Sequence, residues 1–282
     1  MLITCILVLS VLISLGICYF AGCFAALSWL WVLPVSFLGS FVVLALLAFL
    51  FVFIMCQRVD TSVPQEHDDP FYRKMVYRYC EAIVWILRMK VHTTGLNKVP
   101  TDSRFLLVCN HLSLLDPVVI YYCFQKSQLA FVSKKENNGM FLVGKAMHKL
   151  MAQLINREND REALKTILKC VQLLRDDEVS IAVFPEGYIS RDHHLQKLRS
   201  GSLKIATKAK VPIAVCTLQG TDKVVGNLKR GLRSTDIQLH LVDVITPEQQ
   251  QGHTAVDLGE QIYQMMAADM GPDYAPLEAE NP

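Results

Sequence analysis

The chain has 282 residues, of which 52% are hydrophobic, and its formal net charge at pH 7 is only +2. A nearly neutral chain without a basic tract gives no support for nucleic-acid binding, so we expect no nucleic-acid partner. The nine cysteines form no CxxC pair, and an odd, scattered set of this kind is typical of buried thiols in a reducing compartment.

The first part of the chain is uncharged, since no Asp, Glu, Lys, Arg or His precedes Arg58. This segment is long enough for two membrane spans, each of which needs ~20 residues. Two apolar runs, residues 2–28 and 35–56, flank a stretch with two tryptophans and Pro34. Tryptophan favours the membrane interface and proline favours a break. We therefore predict a transmembrane helical hairpin over residues 1–57, the alternative being a buried helix pair of a soluble protein.

Basic residues flank only one side of this predicted hairpin. Its loop has no Lys or Arg, whereas Arg58, Arg73, Lys74 and Arg78 follow the second run. The positive-inside rule then places both termini and the main domain in the cytoplasm. The sequence thus predicts a multi-pass membrane protein with two spans and a cytoplasmic domain.

Three further regions follow. Residues 58–90 are predicted to form a polar linker and an amphipathic helix, which either lies on the membrane or covers the main domain. Residues 91–270 are long enough for one sizeable α/β domain. Residues 271–282 are rich in proline and acidic residues, and we predict a disordered tail there.

Strand-like and helix-like runs alternate within the main domain. The predicted strands are Phe105–Cys109, Leu129–Ser133, Ala152–Ile155, Val179–Phe184, Ile213–Leu218 and Ile237–Ile245. The predicted helices are Pro117–Gln125, Phe141–Leu150, Asp160–Leu174, Gly201–Lys210 and Thr254–Met270. This alternation is typical of an α/β fold, so we predict a mostly parallel sheet flanked by helices.

A histidine and an aspartate, His111 and Asp116, follow the first of these strands. Ligands of open α/β sheets bind at the carboxyl ends of strands, and a carboxylate beside an imidazole makes a general base. Asp116-Pro117 also resembles a helix N-cap followed by proline, and Ser113 with Asp116 has the spacing of a capping box. The spacing alone leaves two interpretations equally open: a catalytic pair, or a loop histidine with a capping aspartate.

A second cluster, Phe184-Pro185-Glu186-Gly187, also ends an apolar strand and should reach the same edge of the sheet. Glu186 either holds a hydroxyl group of a ligand or organises the site. Taken alone, the cluster is more often an ordinary turn punctuated by Pro and Gly.

Basic residues follow two other predicted strands. Arg157 comes after the third strand, and its planar guanidinium suits a phosphate group. Lys134 and Lys135 come after the second strand. Three cations at corresponding strand ends would form an anion site, although an isolated arginine more often pairs with a neighbour such as Glu158.

These clusters together resemble the glycerolipid acyltransferases, the family of 1-acylglycerol-3-phosphate (lysophosphatidic acid) acyltransferases. Each block alone is weak evidence for the family. Four blocks in order and at family-like spacing, between residues 91 and 221, are strong evidence for it. The four matching blocks are Asn110–Asp116 (NHxxxxD), then Phe131–Glu136 together with the following Gly144 and Arg157, then Phe184–Gly187 (FPEG), and finally Val211–Ile213.

The chain departs from the family pattern after the FPEG block, which usually continues Thr-Arg-Ser but here continues Tyr188-Ile189-Ser190. The resemblance implies that an arginine at this block helps to bind the acceptor phosphate. Arg191, two positions further on, is the residue that we expect to substitute for it. Arg199 lies where the family often has a basic residue before a glycine, here Gly201, and we expect it to bind substrate as well.

The resemblance implies a membrane-bound acyltransferase that uses acyl-CoA or acyl carrier protein as donor and a lysophospholipid as acceptor. His111 would be the general base and Asp116 its partner, while Lys134 and Arg157 would hold the acceptor phosphate and Glu186 and Gly187 would shape its pocket. It implies no metal and no cofactor. The alternatives are another acceptor, either a different lysophospholipid or glycerol 3-phosphate, and a catalytically silent lipid-binding protein.

Overall fold

A computed structural model of the protein describes residues 2–271, 273 and 274. The chain divides into two compact units, one ending at Val63 and the other beginning at Pro64. The predicted tail, 271–282, lies mostly outside the described residues. Tyr274 is described, and it is buried in the core of the second unit.

The first unit consists of two helices, α1 (Leu2–Phe20) and α2 (Trp29–Gln57). Both are long and apolar enough to cross a membrane. They pack through small polar residues: Ser10 and Ser14 are buried, and the Ser40 hydroxyl of α2 donates to the Ser10 carbonyl of α1 at 3.3 Å. Small residues of this kind let two helix backbones approach closely.

The predicted break of the hairpin was placed wrongly. The chain turns within residues 21–28, where Gly22 adopts a left-handed conformation, and Pro34 lies inside α2. Proline this near the start of a helix removes only one backbone hydrogen bond, which a long apolar helix tolerates.

The second unit contains one seven-stranded sheet in the order β1-β7-β6-β2-β5-β3-β4. Strands β6, β2, β5, β3 and β4 are parallel, whereas β7 pairs with β6 antiparallel and with β1 parallel. The strands are β1 (Met89–Thr94), β2 (Leu106–Cys109), β3 (Leu129–Lys134), β4 (Gln153–Ile155), β5 (Ser180–Val183), β6 (Ile213–Gln219) and β7 (Thr235–Ile245). This confirms the predicted α/β class with a mostly parallel sheet.

Helices cover both faces of the sheet. All residues of β2 and β5 are buried, as expected for parallel strands that are covered on both sides. Alternate strand residues such as Leu106 and Val108 join a core cluster with residues of α6, α7 and α9. On the opposite face, Phe131 of β3 packs against Tyr121 of α4. The helices of this unit are α3 (Pro70–Ile86), α4 (Asp116–Cys123), α5 (Val143–Lys149), α6 (Asp160–Arg175), α7 (Lys204–Ala209), α8 (Val224–Lys229) and α9 (Ala255–Asp269).

Two elements, β1 and α8, were not predicted. In β1 only Met89 is buried, so this strand lacks an apolar alternation that the sequence would reveal. Helix α8 has six residues, too few for a periodic pattern.

The amphipathic helix predicted near residue 71 corresponds to α3, which belongs to the second unit and packs on α4. Its buried Arg73 is paired with Asp68 and donates to the Leu129 carbonyl at the start of β3 at 2.8 Å. Of the two positions considered for this helix, the structure therefore favours the one that covers the main domain.

Candidate active site

Two loops at the carboxyl ends of neighbouring parallel strands form the candidate site. His111 follows β2 and Glu186 follows β5, and these two strands pair in register. The Ser190 N–H donates to the His111 carbonyl at 2.9 Å, which joins the two loops. The predicted juxtaposition of the two clusters is therefore confirmed.

His111 and Asp116 are in direct contact: His111 Nδ1 lies 2.7 Å from Asp116 Oδ2. The same carboxylate oxygen accepts the N–H groups of Leu112 at 2.7 Å and Ser113 at 2.8 Å, and Oδ1 accepts the Thr221 hydroxyl. Asp116 is completely buried. Because a carboxylate only accepts hydrogen bonds, Nδ1 carries the proton and Nε2 keeps a lone pair.

The predicted N-cap at Asp116 was wrong, because Asp116 is the first residue of α4 and its carboxylate points back to the preceding loop. Its bond to the Ser113 N–H is the one that a capping box provides. The two interpretations that the spacing left open are thus not exclusive. One carboxylate both closes the turn and orients the imidazole.

Aromatic stacking fixes the plane of the His111 ring. The ring lies parallel to that of Phe184, with centroids 4.1 Å apart and an interplanar angle of 10°. Phe184 in turn stacks on Phe131 of β3 at 5.5 Å. With one edge bonded to Asp116 and one face covered by Phe184, the imidazole has little rotational freedom.

Glu186 is buried beside the histidine, and both of its carboxylate oxygens accept backbone N–H groups. Oε1 accepts from His111 at 2.7 Å and Oε2 from Gln196 at 3.2 Å. Burial raises the pKa of Glu186 to about 8. The geometry favours the organising role over direct contact with a ligand, because only 1% of the residue is exposed.

Asn110 fixes the other side of the same loop. Its buried side chain accepts the Leu218 N–H at 2.7 Å and donates to the Leu218 carbonyl at 2.8 Å. These bonds continue the pairing of β2 with β6 beyond the last residue of β2. The loop that carries His111 is therefore tied to both neighbouring strands.

Arg157 and Arg199 converge on Gly187. A Cβ atom placed on Gly187 would lie 3.0 Å from Arg199 Nε and 3.3 Å from Arg157 Nη1. Burial, followed by the nearby Arg199 charge, lowers the pKa of Arg157, although Glu136 opposes the shift. Two neighbouring guanidinium groups are a strong attraction for an anion.

Both arginines line a cavity of about 410 Å³ between the sheet and helices α6 and α7. The rest of its wall is mostly apolar. The apolar lining includes Val132, Ile155, Ala163, Leu164, Ile167, Val183, Phe184 and Ile205. The cavity thus combines a basic end with an apolar wall.

The other predicted basic residues do not join this pair. Lys134 and Arg191 are exposed, and neither lines the cavity. Of the two arginines predicted to bind substrate after the FPEG block, Arg191 and Arg199, only Arg199 lies beside Arg157. A role of Lys134 or Arg191 in binding stays a prediction.

Sequence reasoning missed Thr221 and Gln196. Thr221 bonds to Asp116 although it lies 105 positions further along the chain, and Gln196 reaches Glu186 only through its backbone N–H. No local pattern marks either residue, since both contacts depend on how the loops meet.

Comparisons with known proteins find similarity to acyltransferases. The family model described as Acyltransferase matches residues 90–219. A probable 1-acyl-sn-glycerol-3-phosphate acyltransferase of Mycoplasma pneumoniae is 30% identical over 164 residues, which cover 57% of this chain and 60% of that protein. Its counterpart in Mycoplasma genitalium is 31% identical over 180 residues, covering 62% of this chain and 66% of that protein. The chain thus spans less than two thirds of the length of either relative.

A solved structure shares the fold. The crystal structure of the 1-acyl-sn-glycerophosphate acyltransferase PlsC from Thermotoga maritima superposes with a TM-score of 0.56 and 23% identity, covering 77% of this chain and 84% of that one. The segment that the family model matches, residues 90–219, contains His111, Asp116, Arg157, Glu186 and Arg199. Over residues 90–219, the α/β domain of this chain is thus similar to the acyltransferase family.

Proposed function

We propose that this protein transfers a fatty acyl group from acyl-CoA or acyl carrier protein to the free hydroxyl of lysophosphatidic acid, giving phosphatidic acid. The observation that carries the proposal is the His111–Asp116 pair, with Nδ1 and Oδ2 2.7 Å apart in a buried loop. The names of the relatives support the same acceptor.

In the proposed reaction His111 Nε2 takes the proton of the acceptor hydroxyl while the oxygen attacks the thioester carbonyl. The tetrahedral intermediate then collapses, the C–S bond breaks, and the thiolate leaves with the proton from His111. Asp116 stabilises the imidazolium that forms in between. The thioester is already activated, so the hydroxyl attacks directly and no acyl-enzyme forms. The reaction needs no metal or cofactor beyond the donor.

Arg157 and Arg199 are the groups that we assign to the acceptor phosphate. They lie side by side at Gly187, and a doubly charged phosphate would offset their mutual repulsion. Exposed Lys134 and Arg191 are secondary candidates for the same charge. The apolar wall beyond the two arginines suits an acyl chain.

Membrane attachment through α1 and α2 fits substrates that reside in a bilayer. Both helices have the length and composition of membrane spans. We propose a two-span membrane protein whose acyltransferase domain lies on the cytoplasmic side, next to its lysophospholipid acceptor.

The test is acceptor-dependent release of thiol from acyl-CoA by the full chain, with lysophosphatidic acid, other lysophospholipids and glycerol 3-phosphate as acceptors. We expect turnover with lysophosphatidic acid, and we expect His111→Ala to lower kcat about 10²- to 10⁴-fold. His253→Ala is the matched control, because His253 is exposed in the turn before α9 and should leave kcat unchanged.

Three other outcomes would contradict parts of the proposed function. Full turnover of His111→Ala would overturn the proposed base. Release only with glycerol 3-phosphate would overturn the acceptor. No acceptor-dependent release with any donor would favour a catalytically silent lipid-binding protein.

A further inference from the structure

The turns before β1 and β7 lie at the same edge of the sheet as the candidate active site. Met89 and Thr235 are register partners at the starts of these two strands. Near the start of β7, Gln238 pairs with Gln219, the last residue of β6. The turn that leaves α3 and the segment around α8 are thus neighbours beside the carboxyl ends of the parallel strands.

These two turns expose large apolar side chains. Trp85 and Ile86 at the end of α3, and Val225 and Leu232 around α8, are each more than half exposed. Leu232 has a φ of 56° and follows Gly231, which has a φ of 103°. A leucine held in the left-handed region with its side chain in solvent costs folding free energy without contributing to the core. We call the four residues the apolar patch.

Basic side chains surround the apolar patch. Arg88 and Lys90 follow Trp85 and Ile86, and Lys229, Arg230 and Arg233 surround Leu232. All five are exposed, and none has an ion pair within the described part of the chain. Two acidic residues of this edge have other partners: Asp236 Oδ1 lies 2.9 Å from His92 Nε2, and Asp222 accepts the Tyr274 hydroxyl.

We propose that the apolar patch and its five basic residues dock onto a bilayer surface that contains anionic phospholipids. Tryptophan and aliphatic side chains enter the headgroup boundary, while lysine and arginine attract anionic headgroups. A bilayer is favoured over a protein partner because the same chain carries two helices of membrane-spanning length. Docking would hold the mouth of the candidate active site against the lipid surface. The proposal does not depend on which acyl transfer the site performs.

The chain offers a direct probe of this docking, because Trp85 is one of only three tryptophans. A Trp29→Phe/Trp31→Phe variant of the full chain leaves Trp85 as the single emitter. Reconstituted in vesicles of phosphatidylcholine with one quarter phosphatidylglycerol, its emission should shift to the blue relative to detergent. Phosphatidylcholine brominated on its acyl chains should quench it. Both effects should weaken in vesicles without phosphatidylglycerol and at high salt.

Two variants in this background test the basic and apolar parts separately. Arg230→Glu/Arg233→Glu should reduce the quenching, since each basic group near an anionic surface strengthens local binding about fivefold. Leu232→Ser should reduce it as well. Lys98→Glu/Lys126→Glu is the matched control, because these exposed lysines lie in the connections that lead into β2 and β3.

Circular dichroism and thermal unfolding establish that each variant is folded. Trp85 emission that brominated lipid does not quench would overturn the proposal, and so would equal losses for the 230/233 pair and the 98/126 pair. Acyl transfer is measured on the same vesicles. Activity without Trp85 quenching would refute docking alone, whereas quenching without activity would refute the proposed function alone.

Discussion

Individual buried polar side chains determine the geometry of the site. Asn110, Asp116 and Glu186 are each at most 1% exposed, and the oxygens of both carboxylates accept hydrogen bonds. Most of their partners are backbone groups of neighbouring loops. Because an unsatisfied buried polar group costs about 1–3 kcal/mol, these contacts strongly favour a single loop arrangement.

Glu186 should make stability depend on pH. Burial raises its pKa in the folded state to about 8, above the ordinary value of 4.5. Protonation of Glu186 therefore favours the folded state over the unfolded chain. This contribution to stability is fully present below pH 4.5, and it is lost as the pH rises to about 8. Between these limits we expect a loss approaching about 1.4 kcal/mol for each pH unit. The melting temperature of the wild type in detergent should therefore fall relative to Glu186→Gln from pH 5 to pH 8.

In Glu186→Gln the side-chain NH2 group faces the Gln196 N–H, so two donors oppose each other. This lowers stability by an amount that does not vary with pH. Glu158→Gln is the control, because Glu158 is exposed and its removal should leave the pH slope of the wild type intact. If the melting temperatures of the wild type and Glu186→Gln changed with pH in parallel, Glu186 would not be the source of the pH dependence.

At the scale of elements, the loops after parallel strands carry the candidate site residues while the strands supply the scaffold. The loop after β5 bends at Gly187, whose φ of 87° is in the left-handed region. This bend leaves room for Arg199 and Arg157 on one side and directs Glu186 into the core on the other. One glycine thus separates the side of the loop that faces the two arginines from the side that carries buried Glu186.

Gly187→Ala should weaken acceptor binding more than it affects the chemical step. The new methyl group would press against both guanidinium groups, and losing one charge-assisted hydrogen bond to phosphate corresponds to about a tenfold rise in acceptor KM. Steady-state kinetics with varied acceptor should show this rise with a smaller change in kcat.

Gly252→Ala is a close control for the backbone strain. Gly252 has a φ of 81°, and a Cβ atom there would meet nothing within 4 Å. Both substitutions should cost about 1–3 kcal/mol of stability. If both raised the acceptor KM equally, the crowding of the arginines would not be the cause.

At the scale of the whole molecule, the chain combines an apolar helix pair with an α/β unit that has its own core. The charge distribution follows the same division, since every charged residue comes after the helix pair. This asymmetry predicts the orientation of the protein in a membrane.

Epitope tags at the two ends of the chain should both lie on the cytoplasmic side, because the basic residues that follow α2 resist translocation. In sealed inside-out vesicles, an added protease should remove both tags. In right-side-out vesicles both should be protected until detergent is added. Tags with opposite accessibility would show a single span.

The sequence by itself determined the features that local patterns encode. Uncharged apolar runs indicated the helix pair, alternating apolar segments indicated the α/β fold, and ordered motifs selected His111, Asp116, Arg157 and the FPEG block. Short or exposed elements such as β1 and α8 escaped detection, because they bury too few residues to leave a pattern.

Only the tertiary structure decided which residues meet. The contact of Asp116 with Thr221 spans 105 positions, and that of Asn110 with Leu218 spans 108. Such contacts depend on strand order. Backbone hydrogen bonds are the same for every strand and do not select this order, so it is set by the packing of the whole sheet. For that reason the sequence predicted both Arg191 and Arg199 as substrate-binding residues, and the fold brought only Arg199 to Gly187, beside Arg157.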